Sequence, residues 1–117
     1  MIRRMRADDR EKIGSILERS GNFTAGEIAV AMELVDIYIS DASQNDYEFF
    51  VDEEEEIVRG YVCIGPRPLT EGTYDLYWIA VDPEIQSKGI GSSLMRHSED
   101  HIIGKGGRLV LIETSSK

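Results

Sequence analysis

The sequence is short of cysteine and of long apolar runs, and each shortage excludes a class of protein. Cys63 is the only cysteine in 117 residues, so we expect neither an intramolecular disulfide nor a cysteine-rich metal site. No apolar run is long enough to cross a bilayer, and the N-terminal residues MIRRMRADDREK are too charged for a signal peptide. We therefore predict a cytoplasmic protein that does not act at a membrane.

Positive charge is also scarce. Thirteen basic residues face 22 acidic residues, which gives a formal net charge of −9. A chain this acidic is not expected to bind nucleic acid, whereas a cationic amine substrate is compatible with its charge. The length predicts a single domain, residues 1–117, that is large enough to bury a core.

The most informative stretch is residues 76–95, LYWIAVDPEIQSKGIGSSLM. Its first six residues are apolar, aromatic or β-branched, which favours a buried strand. Asp82-Pro83 ends that strand because proline has no amide hydrogen to give to a sheet. Gly89 and Gly91 then open a helix, whose first amides lack partners and whose dipole favours negative charge. Because glycine also lets a ligand approach the backbone, the stretch predicts a site for a phosphate group.

Two common nucleotide-binding motifs fit this stretch poorly. A P-loop requires Gly-Lys-Ser/Thr, but Lys88 precedes its glycine here. A dinucleotide fingerprint requires a third glycine where Leu94 stands, and Pro83 intrudes between the strand and the glycines. An ordinary strand-to-helix turn without a ligand remains open on these residues alone.

Residues 81–95, VDPEIQSKGIGSSLM, resemble the acetyl-CoA-binding motif of the GNAT superfamily of N-acetyltransferases. The core pattern of that family is Gln/Arg-x-x-Gly-x-Gly/Ala, and Gln86, Gly89 and Gly91 occupy its three fixed positions. The preceding Val-Asp-Pro is a usual companion of the motif. The resemblance implies a metal-independent enzyme that moves an acetyl group from acetyl-CoA to a primary amine of a small molecule, a peptide or a protein.

The resemblance also assigns contacts with the cosubstrate. Backbone amides of the glycine turn would hold the pyrophosphate, and the exposed backbone of the preceding strand would pair with pantetheine almost as an added strand. A main-chain N–H near Ile79 would face the thioester carbonyl. The residues assigned in this way are Ile79, Ala80, Val81, Gln86, Ser87, Lys88, Gly89, Ile90, Gly91 and Ser92.

Acetyl transfer further requires a group that takes a proton from the amine. The resemblance places Asp75 where some family members carry a catalytic glutamate, and Glu113 where others carry an acid on the last strand. Either is a candidate general base, and an inert carboxylate at a strand edge stays open for both. Aspartate is the shorter acid, so Asp75 would act through a bridging water. We interpret His97 and His101, on the helix after the glycines, as surface residues.

Hydrophobic spacing and capping residues predict the element order βααβββαβ, a mixed α/β sheet of the GNAT type. Thr24-Ala25-Gly26-Glu27 is a capping box at the start of the second helix. The run of four glutamates at 53–56 is interpreted as a solvated hairpin tip, because consecutive carboxylates rarely converge on one metal or cation. The predicted strands span residues 2–6, 47–52, 57–64, 73–81 and 108–114, and the predicted helices end near residues 19, 40 and 103.

In the family the last of these strands is followed by another helix and two more strands, which have no counterpart before Lys117. We therefore expect a C-terminally truncated domain without the tyrosine that usually serves as general acid. The alternative function is a truncated, catalytically weak domain that binds CoA or another protein. Strand 108–114 would present an unpaired apolar edge, which predicts a homodimer through this region. A monomer with a short, twisted edge is the alternative.

Overall fold

The computed structural model describes residues 1–68, 70–85 and 89–111, the last three by their backbone alone. Within these residues the elements follow the predicted order βααβββαβ, which is confirmed. A short 3-10 turn, Ala7–Asp9, precedes the first helix. The elements are β1 Ile2–Arg4, α1 Arg10–Ser20, α2 Ala25–Ser40, β2 Glu48–Glu54, β3 Ile57–Pro66, β4 Thr73–Val81, α3 Ile90–Gly104 and β5 Arg108–Leu111.

The strands form one mixed sheet in the order β1-β2-β3-β4-β5. The first three pairings are antiparallel, and β4 pairs with β5 in parallel. Parallel neighbours need a long crossover connection, and α3 is that crossover. The result is the α/β fold expected for a GNAT-like chain.

Helices cover both faces of the sheet and divide the core into two clusters. Helices α1 and α2 pack on one face with Ile13, Leu17 and Val35, and α3 packs on the other with Leu94 and Ile102. Successive residues of β3 alternate between the clusters, as a strand buried on both faces requires. Tyr61 and Cys63 join the first cluster, and Val62 and Ile64 join the second.

Local capping explains where α1 and α2 begin and end. Gly21 ends α1 in the left-handed conformation at φ 73°. The predicted capping box of α2 is present: Glu27 N–H donates to the Thr24 hydroxyl at 3.1 Å, and Thr24 N–H donates to the Glu27 carboxylate at 2.8 Å. Asp9 directly precedes α1, but its carboxylate does not cap the helix. It accepts bonds from the Arg6 amide and the Arg3 guanidinium instead.

The bounds of β1, β2 and β3 differ from the prediction, and β2 spans Glu48–Glu54 instead of residues 47–52. The predicted first strand continued to residue 6, but β1 ends at Arg4, because the Arg6 amide turns to donate to Asp9. Strand β3 continues to Pro66, beyond the predicted end at residue 64. Proline is tolerated at that position because it lies at the end of the strand.

The four glutamates lie at the β2–β3 hairpin, as predicted. The turn itself consists of Glu55 and Glu56, both with positive φ (51° and 68°), while Glu53 and Glu54 belong to β2. Glu53 pairs with Arg3, and Glu54 pairs with the N-terminal ammonium. Among the described residues, no group of three or more His, Cys, Asp or Glu side chains is placed to hold a metal ion.

The prediction that His97 and His101 are surface residues is wrong. Both rings are half-buried and meet the Phe50 ring edge-on, with centroids 4.6 and 5.2 Å away. The His101 Nε2 atom also lies 2.7 Å from the Glu48 carboxylate. The error arose because the apolar pattern of α3 does not reveal that β2 extends beneath its polar side. None of the helices in the described residues is both long and apolar enough to span a membrane.

Candidate active site

A bulge shapes β4 at the centre of the candidate site. Cys63 of β3 pairs with Trp78, but the next residue, Ile64, pairs with Leu76, so Tyr77 is an extra residue in β4. A bulge of this kind bends a strand and lets adjacent side chains share one face. Tyr77 and Trp78 accordingly both pack against the α1–α2 side of the sheet.

Beyond the bulge, one backbone edge of β4 has no strand partner in the described part of the chain. The parallel pairing with β5 runs from Thr73 to Leu76, whereas the pairing with β3 on the other edge continues to Val81. Ile79 and Val81 direct their side chains to the α3 side, and Ala80 directs its methyl group to the other. The edge from Tyr77 to Val81 therefore offers backbone N–H and C=O groups to an extended ligand.

The start of α3 follows this edge and provides an anion site. Gly89 precedes the helix in the left-handed conformation, φ 89°, which favours glycine. Its carbonyl accepts the first helical bond from Ser93 at 2.8 Å. Helix geometry leaves the amides of Ile90, Gly91 and Ser92 without an intrahelical acceptor, and Gly89 has no side chain to cap them. Of the residues assigned to the pyrophosphate, Gln86, Ser87 and Lys88 lie outside the described residues.

Asp75 is buried on β4 and paired with an arginine that the sequence analysis did not single out. A single oxygen, Oδ1, accepts bonds from Arg67 Nε at 3.1 Å and Nη2 at 2.7 Å. Asp75 is 6% exposed, and the Arg67 side chain is 38% exposed. Arg67 lies just after β3, and its amide donates to the Thr73 carbonyl at 2.8 Å, which holds the turn closed. A prediction of a turn between residues 67 and 73 would have placed Arg67 beside Asp75.

Aromatic side chains cover the α1–α2 side of β4 near Asp75. Tyr77 meets Tyr47 edge-on at 5.4 Å between ring centroids, and Trp78 meets Phe23 of the α1–α2 connection at 5.8 Å. Burial, reinforced by the Asp75 charge, raises the pKa of Tyr77 above its ordinary value. The Trp78 indole N–H is buried without a hydrogen-bond partner in the described structure. Aromatic rings and one buried carboxylate, Asp75, therefore lie on the same side of β4.

The structure thus brings together some of the predicted site residues. Asp75, the free edge at Ile79–Val81 and the helix start at Ile90–Ser92 follow one another along β4 and into α3. Glu113, the second candidate base, lies outside the described residues.

The chain is similar to known proteins in sequence and in structure. A model of the acetyltransferase (GNAT) family matches residues 13–117. A GNAT-family protein from Desulfovibrio desulfuricans has 40% identity and a TM-score of 0.85, and the match covers 95% of this chain and 71% of that one. A GNAT acetyltransferase from Brucella melitensis, solved in complex with acetyl-CoA, has 27% identity and a TM-score of 0.75 over 97% of this chain and 75% of its own.

More distant structures show the fold alone. The ribosomal-protein-alanine N-acetyltransferase from Brucella melitensis biovar Abortus is 17% identical, with a TM-score of 0.70 over 97% of this chain and 79% of its own. No curated protein matches the chain in sequence.

Proposed function

The chain belongs to the GNAT family of acetyltransferases, and we propose that it transfers the acetyl group of acetyl-CoA to a primary amine. The observation that carries the proposal is the edge of β4 from Tyr77 to Val81, which has no strand partner among the described residues and leads toward the glycine at the start of α3. An extended thiol arm fits a strand edge, and a pyrophosphate fits a helix start. The acetyl-CoA complex of the Brucella melitensis relative supports the same cosubstrate.

The residues proposed to bind acetyl-CoA are those assigned from the sequence. Pantetheine would pair with the backbone of Ile79–Val81, and the pyrophosphate would meet the amides of Gly89–Ser92. Gln86, Ser87 and Lys88 belong to the same proposed turn. Most of these contacts use main-chain atoms, so the conformation of the turn contributes more to binding than the identity of its side chains.

The proposed reaction needs no covalent enzyme intermediate. The amine nitrogen attacks the carbonyl carbon of the thioester, and the N–H near Ile79 stabilises the developing oxyanion. The carbon–sulfur bond then breaks, and the departing CoA thiolate takes the second proton of the attacking nitrogen, so that CoA leaves as a thiol. One proton of the amine is lost to a general base before or during the attack.

We propose Asp75 as that base, with Glu113 as the second candidate. Asp75 and Ile79 are four positions apart on β4, roughly 13 Å of extended chain. A carboxylate at Asp75 would therefore reach an amine at the thioester only through a chain of water molecules. Asp75 is buried beside Arg67, and both bonds from Arg67 go to one of its oxygens. These contacts fix the position of the Asp75 side chain.

The acceptor is proposed to approach from the α1–α2 side, where the aromatic residues lie. Between Arg19 and Arg59 the chain contains no basic residue, and this segment forms α2 and β2. A positively charged amine that approaches from this side is proposed to lose its proton at Asp75.

The proposal is tested by supplying acetyl-CoA with a panel of diamines, aminoglycosides, amino acids and peptides with free N-termini or lysines. Mass spectrometry should detect one acetylated member, and thiol titration should detect CoA in equal amount. Binding of acetyl-CoA without any acetylated product would support a CoA-binding domain instead.

A further inference from the structure

Asp82, the aspartate of the Val-Asp-Pro sequence, joins three separate elements at the point where β4 ends. Its amide donates to the Arg59 carbonyl of β3 at 2.8 Å. Its own carbonyl accepts from Ile85 at 3.2 Å, and its Oδ1 atom accepts from the Glu84 amide at 2.9 Å. These bonds fold residues 82–85, the first part of the connection between β4 and the glycine turn.

The third element is α1, which reaches Asp82 through Arg19. Nη1 donates to Oδ1 at 2.7 Å, and Nη2 donates to Oδ2 at 3.1 Å, so the pair is bidentate. Nε of Arg19 donates to the Ser15 hydroxyl at 3.0 Å, which fixes the side chain along its own helix. The Asp82 side chain is 11% exposed and that of Arg19 is 34% exposed.

This geometry is specific to arginine. Two parallel bonds from one planar group fix the orientation of a carboxylate as well as its distance, which a lysine ammonium does not do. The bond with Arg19 is the main reason that the pKa of Asp82 lies below its usual range. Asp82 therefore remains ionised, and without Arg19 its carboxylate would keep only the Glu84 amide among the described donors.

We propose that Arg19 is a positioning residue for acetyl-CoA: it holds Asp82, and through Asp82 it holds residues 82–85, the described part of the connection that leads from β4 to the start of α3. This inference rests on the proposed function, since it concerns the same cosubstrate. Without Arg19, residues 82–85 gain by rearranging so that water reaches the Asp82 carboxylate. Such a rearrangement displaces the turn that follows and weakens the contacts with the pyrophosphate.

The structure contains a matched control on the same helix. Arg10 makes an equivalent bidentate pair with Asp36 of α2, with bonds of 2.6 and 3.1 Å. That pair is exposed and joins α1 to α2 at the other end of α1, away from the β4–α3 connection. Replacing either arginine by alanine removes the same chemistry from one helix at two different places.

The experiment measures the dissociation constant of acetyl-CoA by calorimetry for wild type, Arg19→Ala, Asp82→Asn, the double variant and Arg10→Ala. We expect Arg19→Ala and Asp82→Asn each to raise the dissociation constant by about tenfold or more. The dissociation constant of the double variant should be no higher than that of the weaker-binding single variant, because both changes break the same pair. Arg10→Ala should bind as tightly as wild type. Arg19→Lys should stay weak, because it keeps the charge and loses the fork.

Two further readouts separate positioning from a loss of stability. Hydrogen exchange of the free protein should accelerate in the peptide covering residues 82–92 in Arg19→Ala and not in Arg10→Ala. In turnover, the KM for acetyl-CoA should rise while kcat and the KM of the acceptor change little. If Arg19→Ala merely reduced the fraction of folded protein, the apparent kcat would fall and the KM for acetyl-CoA would stay unchanged. That result would overturn the proposal.

The outcomes distinguish this inference from the function on which it rests. If wild type binds acetyl-CoA and Arg19→Ala binds it equally well, the role of Arg19 is refuted and the proposed function stands. If wild type does not bind acetyl-CoA, both are refuted.

Discussion

Asp75 illustrates how a single side chain depends on its partner in this protein. Its Oδ1 atom takes both bonds from Arg67, and the described contacts leave Oδ2 without a bond from that residue. The Oδ1 atom thus fixes the position of the side chain through its bonds with Arg67. The proposed role of Asp75 requires the other oxygen, Oδ2, to accept the proton of the amine through water.

A first prediction at this scale concerns the general base. Asp75→Asn should lower kcat by about 10²- to 10⁴-fold with little change in the affinity for acetyl-CoA, because the amide does not accept a proton. Glu113→Gln is the parallel test for the second candidate. Steady-state rates of the two variants decide between them, and equal activity of both with wild type would contradict both assignments.

A second prediction concerns His97. Burial, together with the nearby His101 and Arg4, lowers its pKa, while Asp100 acts in the opposite direction. The unfolded chain therefore takes up a proton near pH 6.5, before the folded one does, and stability falls as the pH drops below that value. In chemical denaturation at pH 7.5 and 5.5, wild type should lose more unfolding free energy than His97→Gln. An identical loss in both proteins would rule out this contribution.

At the scale of elements, the packing of α3 on β3 depends on a glycine. A Cβ atom at Gly60 would lie 2.9 Å from the Ala80 carbonyl oxygen and 3.3 and 3.4 Å from Leu94 and Ile90 of α3. The start of α3, which carries the proposed pyrophosphate site, thus rests directly on this part of β3.

The third prediction is that Gly60→Ala lowers the unfolding free energy by about 1–3 kcal/mol, because the added methyl group overpacks the strand against α3. Gly104, at the end of α3, is the matched control: a Cβ there meets nothing within 4 Å. Gly104→Ala should be neutral or stabilising by less than about 1 kcal/mol. Urea denaturation compares the two, and equal stabilities would contradict the close contact at Gly60.

The fourth prediction concerns the β2–β3 turn. Glu55 and Glu56 both adopt positive φ, a conformation in which Asn-Gly is preferred. Replacing them by Asn and Gly should raise the unfolding free energy by about 1 kcal/mol. Replacing both by alanine removes the same charges and keeps the unfavourable conformation. A gain of the same size in the alanine variant would show that charge, not backbone conformation, is responsible.

The order of the elements was predictable because its signals are local. The capping box at Thr24, the glycine at 21 and the alternation along β3 each act within a few residues. The bulge at Tyr77 and the pairs of Arg67 with Asp75 and of Arg19 with Asp82 depend on register and on helix placement. A short stretch of sequence shows neither the register of paired strands nor the placement of helices, so these parts of the site were not predicted.

At the scale of the whole molecule, β5 is the outermost strand of the described sheet on the side of the proposed site. An open strand edge is a template for pairing with a second chain, so the homodimer through this region stays a prediction. Sedimentation velocity at micromolar concentration should show a dimer that Val110→Lys converts to a monomer. A monomeric wild type would refute it.

The central claim is that the turn at the start of α3 binds acetyl-CoA, and a thermal unfolding measurement with Gly91→Glu tests it most directly. Outside the helix itself, the nearest described atom to a Cβ at Gly91 is Cγ2 of Val81 at 3.8 Å, and an acid in the first turn of a helix is favourable. The free variant should therefore be as stable as wild type.

At about 100 times the dissociation constant, acetyl-CoA should stabilise wild type by roughly 2.7 kcal/mol. The same concentration should leave Gly91→Glu unchanged, since its carboxylate would occupy and repel the position of the pyrophosphate, whereas Gly91→Ala should keep most of the response. The account is contradicted if acetyl-CoA does not raise the melting temperature of wild type, or if it raises that of Gly91→Glu equally.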